Sequence, residues 1–284
     1  MQQRARRLAR ALLPPAVTAG LERLRGRRTV AEWTYLPSWP AAEGPGWTEP
    51  AIAEVQAKRL QAFVDSIAAP SPLGASAEGE PSDRRDYGVH NTYLAFAYVL
   101  GRAALSAPGS PVTILDWGGG LGQYHLLARS LFPELELSYT CHDLEPLATM
   151  GASLVDGVTF DADRDRVLAG RYDLVVASSS LHYAEAWRDL LRSLCGAAST
   201  WLYVTRQPVV MGAEDYVLVQ RAHRHGYPTS YPGWVLNRDG LVDAVEAEGL
   251  ELHREFLIDE RPPASGAPEA PEYRGFLFRR TGDG

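Results

Sequence analysis

Three glycines at alternate positions, Gly118, Gly120 and Gly122, close the stretch V-T-I-L-D-W-G-G-G-L-G that runs from Val112 to Gly122. Glycine at this spacing lets the backbone press against a ligand and adopt positive φ, which a side chain would prevent. The residues behind the turn, Gln123 to Leu131, have helix-forming composition with apolar residues at helical spacing. The N-terminus of such a helix offers unpaired N–H groups to a ligand. A nucleotide-type cofactor is therefore the chemistry to expect at the turn, with Asp116, Trp117, Gly118, Gly120 and Gly122 beside it. A dinucleotide fingerprint would place a further glycine or alanine at position 123, where this chain has Gln123. The histidines best placed for proton transfer at neutral pH are His182, just after a second apolar run, and His90. Tyr183 and Arg206 are further candidates for acceptor contacts. No C-x-x-C or H-E-x-x-H pair occurs, so no metal site is expected.

These groups need elements to hold them. Val112 to Leu115 reads as a buried strand that ends at Asp116. Glu136 to His142, Val158 to Phe160, Tyr172 to Ala177 and Thr200 to Thr205 read as the next strands, with a helix over Ala184 to Leu194. Asn237 is placed to cap a helix over residues 237–248, with Gly249 just beyond its end. Glu251 to Ile258 and Tyr273 to Arg280 are the last two strands, joined without a helix. The alternation predicts a doubly wound, mostly parallel α/β sheet of seven strands with an antiparallel hairpin at its end. Upstream, helices are expected over residues 49–67 and 90–104, separated by a Pro/Gly/Ser-rich loop at 69–85. Residues 29–50, with Trp33, Tyr35, Trp39 and Trp47, and residues 211–236, with Tyr227, Tyr231 and Trp234, read as irregular segments that wall an acceptor pocket. The expected division is a lid region over 1–85 and a core domain over 86–284.

The composition bounds the rest. The chain has 284 residues, 45% hydrophobic and 22% charged, with a net charge of −7. That charge argues against a general nucleic-acid surface. Residues 1–28 are arginine-rich and leucine-bearing, which reads as a solvated N-terminal helix pair, with docking on an anionic surface as the alternative. No apolar h-region follows these arginines and no run is long enough to span a bilayer, so a cytoplasmic protein is expected. Cys141 and Cys195 fall in apolar segments and are expected to be free thiols.

The h-h-D-h-G-x-G-x-G pattern at Ile114 to Gly122 resembles the first motif of class I S-adenosylmethionine-dependent methyltransferases. The run Y-D-L-V-V-A-S-S-S-L-H-Y from Tyr172 to Tyr183 is similar to that family's fourth-strand motif. The resemblance covers about residues 86–284. It implies the methyltransferase form of the Rossmann fold, S-adenosylmethionine as cofactor and a small-molecule acceptor. It also implies that Asp143 and Leu144 follow the second strand at the ribose, with Glu145 as the alternative acid. Asp161, or Asp163, would stand near the adenine amine. Ser178, Ser179 and Ser180 would border the sulfonium end, with Leu181, His182 and Tyr183 facing the acceptor and Asp173 structural. His182 would be the catalytic base, His90 a contact of cofactor or acceptor, and His125 and His142 structural. The pair Gly46-Trp47 and the run H-N-T-Y at residues 90–93 resemble a branch of bacterial methyltransferases associated with gene sets for glycans and specialised metabolites.

Overall fold

The computed structural model describes residues 32–41, 44–76 and 86–282. The arginine-rich segment lies outside them. Residues 32–284 group as one compact unit. No helix among the described residues is long and apolar enough to cross a membrane.

Helix formation follows the apolar spacing and the caps. The N-terminal part holds strand β1 (Trp33–Leu36), helix α1 (Pro50–Ala68) and helix α2 (Tyr87–Ser106). The Glu49 carboxylate accepts from Ala51 N–H at the start of α1, and Asp86 accepts from Val89 N–H at the start of α2. Strand β2 (Val112–Trp117) then leads through the glycines into α3 (Gln123–Leu131). Next come β3 (Leu137–His142), α4 (Glu145–Leu154), β4 (Thr159–Asp161), α5 (Arg164–Leu168) and β5 (Tyr172–Ser178). A 3-10 turn over Leu181–Tyr183 precedes α6 (Trp187–Ala197) and the 13-residue strand β6 (Ala198–Val210). The chain continues through β7 (Tyr216–Arg221), β8 (Ser230–Asn237), α7 (Arg238–Glu246), β9 (Leu250–Leu257) and β10 (Glu272–Arg280). Asn237 caps α7 as expected, accepting from Gly240 N–H at 3.0 Å.

The ten strands among the described residues all join one sheet. Seven of them follow the expected plan. They run β4-β3-β2-β5-β6, all parallel, then β10 and β9, with β10 antiparallel to both neighbours. The other three correct the sequence reading. Residues 211–236 are not a loop but largely the hairpin β7-β8, and β1 from the supposedly irregular segment pairs with β7. The end of β6 carries this annex through two parallel pairs, Val209 with Leu236 and Val210 with Asn237.

Alternation along the strands sorts two layers. Val112 and Ile114 of β2 and Leu174 and Val176 of β5 pack with Phe96, Val99 and Leu127 of α2 and α3. Leu115, Val175 and Ala177 face Leu190, Leu194, Leu241 and Val245 of α6 and α7. Burial on both faces is why these strands read as continuous apolar runs. Each fully buried Leu or Val side chain contributes about 1.5–3 kcal/mol. Asp173 has the structural role that the resemblance implies: its carboxylate accepts from Thr113 N–H at 2.9 Å and from the Thr113 hydroxyl at 2.6 Å, tying β5 to β2. Cys141 and Cys195 are buried free thiols.

Candidate cofactor and acceptor site

The glycine turn is bound to the end of β3. Gly118 N–H donates to the His142 carbonyl at 2.8 Å and Gly119 N–H to the same oxygen at 3.3 Å. Gly120 N–H donates to Asp143 Oδ2 at 2.8 Å, and Leu144 N–H to Asp143 Oδ1 at 2.7 Å. The backbone at Gly118 has φ +69°, and a Cβ there would lie 2.5 Å from the Cβ of Ser180. Ser180 is itself fixed by donating to the Trp117 carbonyl at 2.8 Å. The chain therefore passes through a gap that only glycine fits.

A cavity of about 420 Å³ lies along this turn, within the size range of small-molecule sites. Trp117, His142, Leu144 and Arg164 line it, as do Ser178, Ser179, Tyr183 and Arg206. The Trp117 and His142 rings stack at 4.1 Å, and His142 Nδ1 is 2.8 Å from the Asp161 carbonyl. Burial lowers the His142 pKa and favours a neutral ring. Ser178 Oγ is 2.9 Å from the Tyr124 hydroxyl.

Of the residues singled out in the sequence, the fold brings Trp47, Trp117, Gly118, Gly120, His142, Asp143, Leu144, Ser178, Ser179, Ser180, Tyr183 and Arg206 to this cavity. Asp116, Gly122, Asp161, His182 and His90 do not line it. Asp116 is a correction. Strand β2 runs on to Trp117, so Asp116 falls on the α2–α3 face and is fully buried beneath Gly119, whose Cβ would lie 2.4 Å from Asp116 Oδ2. The Tyr139 hydroxyl donates to that oxygen at 2.9 Å, while Oδ1 has no partner. Burial pushes its pKa up to about 7. Gly122 starts α3 at φ +79° and packs on Phe160 instead of facing the cavity. Asp161 is engaged by Arg166, whose Nε donates to Oδ2 at 2.6 Å, and this holds its carboxyl below the usual range. Asp163 caps α5, and Glu145 begins α4.

Both candidate catalytic histidines are turned away. His182 is 1% exposed, and neither ring nitrogen completes a hydrogen bond, although Gln207 stands beside it. Its ring packs on Tyr183 at 4.0 Å, and a Cβ on Gly233 of β8 would approach it to 3.1 Å. The unforeseen hairpin β7-β8 is what closes over it. Burial first, and the Arg206 charge second, lower its pKa to about 3. His90 uses Nδ1 on the Leu73 carbonyl at 2.9 Å and ties the preceding loop to α2.

Other liners were not singled out. Gln56 interrupts the apolar face of α1, four residues after Ile52 and seven before Phe63, and is 4% exposed. A polar residue in an apolar stripe was the available signal. Its Oε1 faces Gln123 Nε2 at 3.4 Å, and Gln123 Oε1 accepts from Leu121 N–H at 3.1 Å. From the expected aromatic walls, Trp47 reaches the cavity. It stacks on Tyr231 at 4.2 Å, and Tyr231 backs Tyr183 at 5.0 Å. Among the described residues, no group of three or more His, Cys, Asp or Glu could hold a metal ion.

The architecture is shared with solved structures. The 4+2 cyclase SpnF aligns with 86% of this chain and 99% of its own, at 14% identity and a TM-score of 0.52. The fold is that of the class I methyltransferases. Magnesium protoporphyrin IX methyltransferase from Synechocystis aligns at 13% identity and a TM-score of 0.48, over 85% of this chain and all of its own. The 1,6-didemethyltoxoflavin-N1-methyltransferase of Burkholderia thailandensis aligns at 17% identity and 0.46, over 87% and 95%. No protein-family model and no curated protein matches the sequence.

Proposed function

We propose that this chain binds S-adenosylmethionine along the glycine turn and transfers its methyl group to a small-molecule acceptor. The observation that carries the reading is the convergence of the turn and Asp143 on one cavity. The cradle suits the cofactor: side chains are barred from Gly118 and Gly119 by contacts of 2.5 Å and 2.4 Å, so bare backbone faces the ligand. The two Asp143 oxygens accept one N–H each from Gly120 and Leu144. A carboxylate is an acceptor with two oxygens, which match the two neighbouring hydroxyls of a ribose. Leu144 and Trp117 offer apolar surface to a planar base. When bound, the cofactor supplies an activated methyl group with a neutral thioether as leaving group.

The chain's own residues then orient and enclose. Ser178 and Ser179 border the sulfonium end and Tyr183 the acceptor side, with Trp47 closing the cavity from the N-terminal part. Because His182 and His90 do not reach the cavity, rate enhancement rests on alignment and exclusion of water. The acceptor proposed is a sugar or specialised metabolite, methylated on oxygen or nitrogen, because an aromatic wall such as Trp47 suits a sugar ring or an aromatic acceptor.

Isothermal titration with S-adenosylhomocysteine and with NAD tests the reading. Only the former should bind, because Gln123 stands where a dinucleotide turn needs glycine. Asp143→Ala should weaken binding by about 1.5–3 kcal/mol, the scale of a hydrogen bond to a charged group. Unchanged affinity in a folded variant would overturn the assignment. The withdrawn histidines support a second reading, a cofactor-binding protein without methyl transfer. Turnover with an acceptor separates the two.

A further inference from the structure

Strand β6 takes one residue more than its partner at the cavity. Arg274 of β10 stands opposite Gln207, yet Phe276 stands opposite Val204. The extra residue is a β-bulge, a device that re-aims a side chain out of the regular alternation. It coincides with Arg206, whose φ is +47°, a left-handed conformation uncommon outside glycine. Gly275 makes room opposite: a Cβ there would lie 2.9 Å from Thr205 Oγ1. The result is an arginine on the cavity wall, beside Ser179 and Tyr183.

The same spot gathers the other unusual backbone. Ser179 has φ +51° and donates its N–H to the Thr205 carbonyl at 2.9 Å. Asp259, at φ +61°, immediately precedes Glu260, whose Oε2 is 3.7 Å from Arg206 Nε. These three are the non-glycine residues with positive φ among the described residues. Strained backbone of this kind persists where the surrounding fold holds it, and it gathers at binding sites. At 3.7 Å, the ion pair is longer than a hydrogen bond, and the Glu260 side chain is 41% exposed. A guanidinium presents five donors in a planar fork that matches carboxylate and phosphate.

We infer that Arg206 binds an anionic group of the acceptor, a carboxylate or a phosphate, and that this group displaces the Glu260 carboxylate from the guanidinium. The inference rests on reading the cavity as a cofactor and acceptor site. Sheet order places Arg206 on the acceptor side: β5 lies between β2, which carries the glycine turn, and β6. Arg164 is a second cation on the wall.

The test uses the full chain saturated with S-adenosylhomocysteine, titrated calorimetrically with benzoate, phenyl phosphate and their neutral counterparts benzamide and phenol. At least one anion should bind roughly tenfold tighter than its neutral counterpart, on the scale of a charge-assisted contact. Which one does so separates carboxylate from phosphate. Arg206→Gln should abolish the preference and leave S-adenosylhomocysteine affinity unchanged. Glu260→Gln should strengthen anion binding about threefold or more, because the competing carboxylate is gone. The opposite signs separate this role from a structural ion pair, in which both variants would weaken binding alike. That equal loss would overturn the inference, as would anions binding no better than neutrals. Loss of cofactor affinity in Arg206→Gln would also overturn it, by assigning the arginine to the cofactor. If the unsubstituted chain fails to bind S-adenosylhomocysteine, the cavity reading itself falls, and the inference with it.

Discussion

Asp116 gives the sharpest test of how this site is built. Its carboxyl group is fully buried under the glycine turn, with one oxygen held by Tyr139 and the other without a partner. Burial raises its pKa from 3.8 to about 7. The native state therefore keeps a proton that the unfolded chain releases. A raised carboxyl pKa means that stability is fully present below about pH 4 and is lost as pH rises toward 7. Roughly three units at about 1.36 kcal/mol each give a loss of ~4 kcal/mol above pH 7. Asp116→Asn cannot ionise and escapes that loss. It also places an amide NH₂ where Oδ1 has no partner, which costs about 1–3 kcal/mol. The variant should be more stable than the natural chain by about 1–3 kcal/mol near pH 8 and no more stable at about pH 4.

Urea unfolding of both proteins at several pH values, followed by circular dichroism, measures the difference. His182 titrates in the opposite sense: its lowered pKa means that stability is present above about 6.5 and is lost as pH falls toward 3. Both proteins share that contribution, so it cancels when they are compared. A difference that is flat with pH, or an asparagine variant less stable near pH 8, would refute the account of a proton held beneath the turn.

Three further outcomes follow from the geometry. Gly119→Ala would push a Cβ to 2.4 Å from Asp116 Oδ2 and 2.7 Å from Cys141 Sγ. Such overpacking costs about 1–3 kcal/mol, and chemical denaturation should show it along with weakened S-adenosylhomocysteine binding. His182→Leu removes two buried nitrogens that lack partners, so stability should be unchanged or higher and turnover should stay within about tenfold. A fall of about a hundredfold with a shifted pH profile would restore the histidine as a base. Gly233→Ala would bring a methyl group to 3.1 Å from the His182 ring and 3.3 Å from Tyr183, so it should lower acceptor turnover more than cofactor affinity, read by steady-state kinetics beside calorimetry.

The parts legible in the sequence are those governed by local chemistry. Glycines at alternate positions after an apolar run declared the turn, because close packing against Ser180 and positive φ both demand glycine. Continuous apolar runs declared the parallel strands, since burial on both faces leaves no polar positions. Asp143 could be placed because a strand end next to such a turn faces the same cavity. What a side chain points at was decided elsewhere. Two more residues of strand carried Asp116 from the ligand to the core face. A hairpin pairing with β1 across more than 180 residues of sequence buried His182, and no periodicity near His182 encodes that partner. Arg206 owes its direction to one extra residue opposite Gly275, a register set between strands and invisible within either of them. Spacing along the chain specifies conformation. Which groups meet depends on pairings that form only when distant segments share a core.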